Sequence, residues 1–313
     1  MGVTPYREAE QRLWQHYGLS PSERFVELPA YGTRLRVQEL GTGEPVLFLH
    51  GSPSAGANFA PLLPHLAGVR SIVVDRPGNG LSETPAWDGA LLLRGLTALV
   101  ADILDALELE RAHVVGSSVG GTIALRGAFT TPQRIDRLVL LGAPAAIEGL
   151  PMPATERLLL FPGVARLASR FVPGRGGQRK AFEGIGHAAA VADGRIPDAY
   201  WDWNDRMVRD TGSWRDELAS YGKLSSWSMS YGPVRITTDD LAAIDAPTLI
   251  VWGEGESYGG RGAADHLARA MPDAHVRFMA GVGHLPWLDE PEIVGADVAG
   301  FLGRVVQGLP RAA

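Results

Sequence analysis

The 313-residue sequence contains no cysteine. That absence excludes a disulfide framework, a thiolate metal site, an iron–sulfur cluster and a cysteine nucleophile together. Lysine is nearly missing too, only Lys180 and Lys223 being present, and 29 basic against 35 acidic residues leave a net charge of −6. With no basic run, the chain lacks the electrostatic footprint of a nucleic-acid binder. No apolar run approaches the ~20 residues that span a bilayer. The stretch from Met1 to Tyr17 carries Arg7, Glu8, Glu10 and Arg12 and lacks the layout of a signal peptide. A cytoplasmic protein without a membrane span is expected, its oligomeric state open. There is no G-x-x-x-x-G-K-[ST] phosphate loop and no H-E-x-x-H, and no cofactor or metal is expected.

What is present describes a globular chain. Hydrophobic residues make up 45% and charged residues 20%, enough to bury a large core. Short β-rich runs alternate with helical stretches, the pattern of a mostly parallel sheet. Strands are expected at 24–28, 35–39, 45–49, 71–75, 113–116, 137–142, 248–252 and 275–279. Val46–Leu49 and Leu138–Leu141 are continuous apolar runs, as a strand covered on both faces should be. Helices are expected at 90–107, 119–129, 263–270 and 291–306, the last with Ile293, Val294, Val298, Phe301, Leu302 and Val305 near helical spacing. Between Gly149 and Asp240 the alternation stops. A structureless loop of that length is uncommon in a compact domain, so an inserted, mainly helical lid is expected, with helices near 155–161 and 200–209. Its Trp201, Trp203, Trp214 and Trp227 either line an apolar pocket or pack the lid on the core. Most of its arginines (157, 166, 170, 175, 179, 195, 206, 209, 215 and 235) should face solvent, though one could pair with a substrate carboxylate.

Three segments carry chemistry. Gly116-Ser117-Ser118-Val119-Gly120-Gly121 follows a strand and opens a helix. A G-x-S-x-G at such a turn is a nucleophile elbow: small residues let the turn close and lift the Ser118 hydroxyl clear of the sheet. Ser117 competes, but lies off the motif's centre. His50-Gly51-Ser52-Pro53 ends the apolar strand at Leu49. An oxyanion needs two preorganised N–H donors, and the backbone of Ser52 and Val119 can supply them. Gly281-Val282-Gly283-His284 follows the last strand on a glycine-rich loop. Of the eight histidines, His284 is the one placed as a base for serine. His50 should serve its own loop, His187 lies in the lid, and His65, His113, His266 and His275 read as structural or exposed. The strand Thr248–Trp252 runs into Gly253-Glu254-Gly255-Glu256, where a carboxylate would orient His284; Glu254 and Glu256 both satisfy the order serine, acid, histidine.

Together, His50–Pro53, Asp75-Arg76-Pro77-Gly78-Asn79-Gly80-Leu81-Ser82, the Ser118 elbow and Gly283–Pro291 resemble the α/β-hydrolase superfamily, in its serine-nucleophile, lid-containing branch. The resemblance covers about residues 27–302. It implies an eight-stranded, mostly parallel sheet with helices on both faces, a core over 1–145 and 241–313, and a helical cap over 146–240. It also implies the acid three residues past the glycine that ends the seventh strand, which is Glu256 counted from Gly253. The family more often has Asp there, so Glu254 and Asp265 stay open. Asp75–Ser82 reads best as a tight turn serving backbone geometry.

Relatives that attack an alkyl carbon carry Asp at the elbow, so Ser118 points to acyl transfer. The leading expectation is hydrolysis of a carboxylic ester or lactone of a small, partly apolar molecule, with Ser118 as nucleophile, His284 as general base and Glu256 as orienting acid. A C–C bond hydrolase, an amidase or aminopeptidase, or a perhydrolase would use the same three residues. A cofactor-free lyase or a non-catalytic binding protein on this fold is the remaining alternative.

Overall fold

A computed structural model describes residues 3–224 and 231–303. Eight strands form one sheet: β1 (Ser22–Leu28), β2 (Thr33–Leu40), β3 (Glu44–Leu49), β4 (Val69–Val74), β5 (Ala112–Ser117), β6 (Ile135–Leu141), β7 (Thr248–Gly253) and β8 (Ala274–Met279). The spatial order is β1-β2-β4-β3-β5-β6-β7-β8. β1 pairs antiparallel with β2 and β2 antiparallel with β4, and the other pairs are parallel. All eight expected strands are present.

Because side chains alternate along a strand, the sheet's apolar runs split between two cores. Leu47, Leu49, Ile72, Val74, Val114, Leu138, Leu140, Ile250 and Trp252 face one side, against Leu99, Ile103, Ile123 and Leu125. Val46, Phe48, Val73, Val115, Val139, Leu141, Leu249 and Val251 face the other, against Trp287, Val294, Val298 and Phe301. The second core also takes in Tyr6, Leu13 and Trp14 of an N-terminal helix, Thr4–His16. That helix packs on the helix Asp198–Asp210 and on the short helical turn Gly56–Phe59. It is pinned by Arg36, which is 2% exposed and bonds Glu10, Glu23 and Asp75.

The expected helix over 90–107 is two helices, Gly89–Thr97 and Leu99–Ala106. Asp88 caps the first by accepting from Leu91 N–H. Its last residue, Thr97, donates its hydroxyl to the carbonyl of Leu93, a local bond that bends helices. The helices Val119–Thr130, Arg261–Arg269 and Pro291–Gly303 lie where expected.

Between β6 and β7 runs an insert with helices at Ala154–Leu159, Val164–Ala168, Arg175–Phe182, Ala188–Ala192, Asp198–Asp210, Arg215–Leu224 and Thr238–Ala242. Its two ends are stitched together: Ile147 and Ile236 form a parallel bridge, Ile236 N–H donates to Ala146 O, and Glu148 N–H to Ile236 O. Trp201 and Trp203 are buried in the second core beside Tyr200, Met207 and the N-terminal helix, so these two pack the insert onto the body. Trp214 is half-buried against the same core, and Trp227 lies outside the described residues. No helix among the described residues is long and apolar enough to cross a membrane.

Candidate active site

The elbow is built by close backbone approach. A Cβ on Gly116 would stand 2.6 Å from Gly120 O, and one on Gly120 only 2.0 Å from Leu49 O. Glycine at both positions lets β5, the helix behind it and the end of β3 meet. Between them Ser118 adopts φ 52°, ψ −121°, a conformation non-glycine residues rarely take. The turn separates the two serines. Ser117 is 0% exposed, its hydroxyl sealed without a hydrogen-bond partner among the described residues. Ser118 is half-buried at the surface of the elbow, as is Val119, the first residue of the helix. The N–H groups of a helix's first turn lack intrahelical partners, which leaves Val119 N–H available.

The loop after β3 lies over this turn. A Cβ on Gly51 would be 3.0 Å from Ser118 Cβ, and Ser52 follows, half-buried. His50 beneath is wholly buried. Its Nδ1 donates to Gly51 O at 2.7 Å while Nε2 accepts from Arg76 N–H at 3.0 Å. Burial and the charge of Arg76 push its pKa well down, so it is neutral and structural. Arg76 in turn donates to the carbonyls of His50 and Gly51, each at 3.0 Å. The turn that supplies Arg76 is organised by Asp75, which accepts from Gly56 N–H and Leu81 N–H. That matches the expected backbone role of Asp75–Ser82. The stretch does more: Arg76 and Asn79 both bond Glu217 of the insert, at 3.0 and 2.8 Å, in a buried junction.

His284 Nδ1 lies 2.7 and 2.9 Å from the two carboxylate oxygens of Glu256. Glu256 also accepts from Ala143 N–H at 2.9 Å and Tyr258 N–H at 3.3 Å. Glu254 is exposed and accepts from Gly281 N–H instead, and Asp265 sits within the helix Arg261–Arg269. Of the three acids, Glu256 is therefore the one hydrogen-bonded to His284. Burial alone would lower the imidazole's pKa, but the Glu256 charge, its hydrogen bond and the Glu156 charge outweigh it and hold His284 above the ordinary histidine value. Burial likewise favours the neutral form of Glu256, but His284 and the backbone donors hold it below the usual carboxylate range.

Beside Val119 opens a cavity of about 80 Å³. Its walls are mainly apolar, including Trp87, Leu92, Leu96, Leu99 and Ile123, with Arg76, Asn79, Glu156 and Glu217 as polar lining. Neither the insert's tryptophans nor its ten arginines take part among the described residues. Several of those arginines are instead engaged with acids, as Arg175 is with Asp202, Arg209 with Asp205 and Arg235 with Glu148.

A family profile described as alpha/beta hydrolase fold matches residues 44–291. The chain belongs to that family. The α/β-hydrolase is 30% identical over 297 residues to a 2-hydroxy-6-oxononadienedioate/2-hydroxy-6-oxononatrienedioate hydrolase of Cupriavidus pinatubonensis, covering 90% of this chain and 96% of that protein. Among solved structures it resembles a meta-cleavage product hydrolase from Pseudomonas fluorescens IP01 (TM-score 0.69, 21% identity, 90% and 97% of the two chains). It also resembles a carboxylesterase from Bacillus subtilis (TM-score 0.72, 21% identity, 96% and 98%). At these identities the two structures share the fold.

This α/β-hydrolase brings further residues to the site that sequence patterns did not single out. Tyr258 stacks on the His284 ring, and Glu156, on the insert, accepts its hydroxyl. Burial pushes the Glu156 carboxyl up, against hydrogen bonds from Tyr231 and Tyr258. Its place two residues past Glu256 is the hint the sequence holds for Tyr258.

Proposed function

We propose that this protein is a serine hydrolase that cleaves a carbon–carbon bond beside a carbonyl. Ser118 acts as nucleophile, His284 as general base and acid, and Glu256 as the orienting carboxylate. The reading of these three roles rests on the 2.7 Å Glu256–His284 contact and the strained, half-buried Ser118 at a helix start. The observation that carries the choice of bond is the Cupriavidus relative, whose name denotes hydrolysis of a 2-hydroxy-6-oxo dienedioate and which matches along nine-tenths of this chain. Ester or lactone cleavage, the leading expectation from the sequence, needs the same groups; the relatives support the C–C alternative better.

The chemistry follows from the arrangement. Ser118 Oγ adds to the carbonyl carbon as His284 Nε2 takes its proton, and the backbone N–H groups of Ser52 and Val119 hold the oxyanion. The C–C bond then breaks. Its electron pair leaves on a carbon that needs a conjugated carbonyl to spread the charge, and His284 returns the proton to that fragment. Water, deprotonated by His284, releases the acyl group and restores Ser118. Glu256 keeps the imidazole's proton on Nδ1 and stabilises the imidazolium. Residues 146–240 serve as the cap over this site, carried by a core of 1–145 and 241–313, and the apolar cavity beside Val119 takes part of the substrate.

The test is a paired assay with 2-hydroxy-6-oxo-6-phenylhexa-2,4-dienoate and p-nitrophenyl benzoate, which deliver the same benzoyl group. A larger kcat/KM on the dienoate, abolished in Ser118→Ala, is expected. Turnover of the ester with none of the dienoate would overturn the C–C reading and favour ester hydrolysis.

A further inference from the structure

The loop that carries His284 has a second wall, and the insert supplies it. Residues Glu183–His187 form a wide turn between the helices Arg175–Phe182 and Ala188–Ala192, broken by Ile185 (φ −105°, ψ 23°) and Gly186 (φ 96°, ψ 6°). Such an irregular turn within helical segments is frequent at functional sites. Here it turns two groups toward the base. Ile185 O accepts from His284 N–H at 2.9 Å. His187 Nε2 accepts from Leu285 N–H at 3.0 Å. The approach is close enough to require glycine: a Cβ on Gly186 would stand 2.3 Å from Gly255 O and 2.9 Å from Gly283 Cα. Gly255 immediately precedes Glu256, so the same turn touches the loops of both His284 and its acid.

His187 is 0% exposed. Since Nε2 accepts a hydrogen bond, its lone pair is there and the ring proton sits on Nδ1. That nitrogen lies 2.7 Å from Asp289 Oδ2, in close contact without the alignment of a hydrogen bond. Asp289 Oδ2 also accepts from Gly283 N–H at 2.8 Å. The chain from Gly283 to Leu285 therefore has three consecutive N–H groups fixed, by Asp289, Ile185 and His187 in turn. The other polar contacts to the His284 ring come from Glu256, with Tyr258 on its face and the charge of Glu156 nearby. Phe182 lies 6.0 Å from the His187 ring, and Asp289 is the carboxylate facing it.

We propose that His187 is a positioning residue for the base: with Ile185 and Asp289 it fixes the backbone of Gly283–Leu285 so that His284 meets both Ser118 and Glu256. The inference rests on the serine-hydrolase reading, though not on the bond cleaved. It makes the insert a structural part of the catalytic machinery at this edge, in addition to roofing the cavity.

A fluorophosphonate probe tests it, because phosphonylation needs an activated Ser118 but not the natural substrate. The second-order labelling rate is measured against pH for wild type, His187→Ala, His187→Gln and Asp289→Ala, with Tm recorded for each. Misplacing a catalytic group by about 1 Å costs up to about 100-fold, so His187→Ala is expected to label at least about tenfold more slowly. The midpoint of its pH profile should fall, since an imidazole loosened from Glu256 loses the interaction that raises its pKa. His187→Gln, whose Oε1 can accept from Leu285 N–H, should recover most of the rate. Should His187→Ala not fold, Asp289→Ala, which removes the acceptor of Gly283 N–H, is expected to move rate and midpoint the same way. A folded His187→Ala or Asp289→Ala with lowered Tm but wild-type rate and midpoint would overturn the inference. Wild-type protein unlabelled at Ser118 would instead sink the serine-hydrolase reading beneath it, whereas brisk labelling without dienoate turnover would sink the C–C reading alone.

Discussion

Tyr258 lies over the imidazole of His284, ring centres 5.8 Å apart and planes inclined by 26°, while its hydroxyl donates to Glu156 on the insert. The ring thus covers one face of the imidazole and ties it to the insert. Tyr258→Phe keeps the stack and loses the bond to Glu156; Tyr258→Ala loses both. Aromatic pairs contribute about 0.5–1.5 kcal/mol beyond area burial. Tyr258→Ala is therefore expected to lower kcat by up to about tenfold, and Tyr258→Phe by less. With a donor removed, Glu156 moves further toward its neutral form and raises the pKa of His284 less, so the acid limb of the kcat profile should shift slightly down in Tyr258→Phe. Equal kcat profiles in both variants would show the ring to be passive.

The Glu256–His284 pair sets pH dependence in two ways. With His284 as the proposed base, catalysis needs its neutral form, and its pKa is raised, so kcat/KM should climb with pH through a midpoint above 6.5, the ordinary histidine value. Glu256→Gln should drop that midpoint and, by removing the carboxylate that fixes the tautomer, lower kcat by about 10⁴. Stability follows the same shifts. The raised pKa of His284 contributes stability that is complete below its unfolded value of 6.5 and lost as pH rises through the folded one. The depressed pKa of Glu256 contributes stability present above 4.5 and lost as pH falls through its folded value. The Tm gap between wild type and Glu256→Gln should thus be widest between pH 4.5 and 6.5 and narrower at pH 9. A gap that grows toward pH 9 would contradict this assignment.

How far the sequence announced this site depends on where each residue's partners lie. The strands were readable because buried parallel strands are runs of apolar residues, as at Val46–Leu49. Ser118 and His284 were readable because each follows a strand on a glycine-rich turn whose geometry is local. Counting past Gly253 points to Glu256, and Glu256 is the acid hydrogen-bonded to His284. The helix Thr4–His16 does not stand out in the sequence, because its apolar face is short and its surroundings charged; what makes it a helix in place is a core built from distant strands. The sequence shows Arg76 only as part of a turn, because its decisive partner, Glu217, is 141 residues away. His187 looked like one more histidine of the insert, since nothing in its neighbours foretells Leu285, 98 residues on.

The Arg76–Glu217 junction couples the loop bearing Ser52 to the insert. Removing one partner of a buried ion pair costs about 3–5 kcal/mol, and both side chains here are under one-tenth exposed. Arg76→Met also strips donors from the carbonyls of His50 and Gly51. It is expected to lower Tm markedly and kcat as well, because the loop proposed to hold the oxyanion loses its support. Glu217→Gln should lower Tm less. The double variant Arg76→Met/Glu217→Gln should recover part of the stability without recovering kcat, since the uncompensated carboxylate is gone while the loop stays unsupported. Additive losses in Tm across the cycle would show that the two residues act independently.

Two glycine substitutions separate the elbow's requirement from glycine's general cost. Gly120→Ala places a methyl 2.0 Å from Leu49 O and 2.7 Å from His50 O, so β3 or the elbow must move. Both displacements bear on Ser118, and the loop leading to Ser52 moves with the first. Overpacking of this kind costs about 1–3 kcal/mol or more, and the variant should lose kcat out of proportion to its Tm. Gly300, within the helix Pro291–Gly303, has open space where a Cβ would go. Gly300→Ala should leave kcat unchanged and raise stability by up to about 1 kcal/mol, the difference in helix propensity. Thermal unfolding and turnover of the two variants side by side decide the matter. If Gly120→Ala kept wild-type kcat, the close contact between the end of β3 and the Ser118 turn would not be what sets the position of Ser118, the proposed nucleophile.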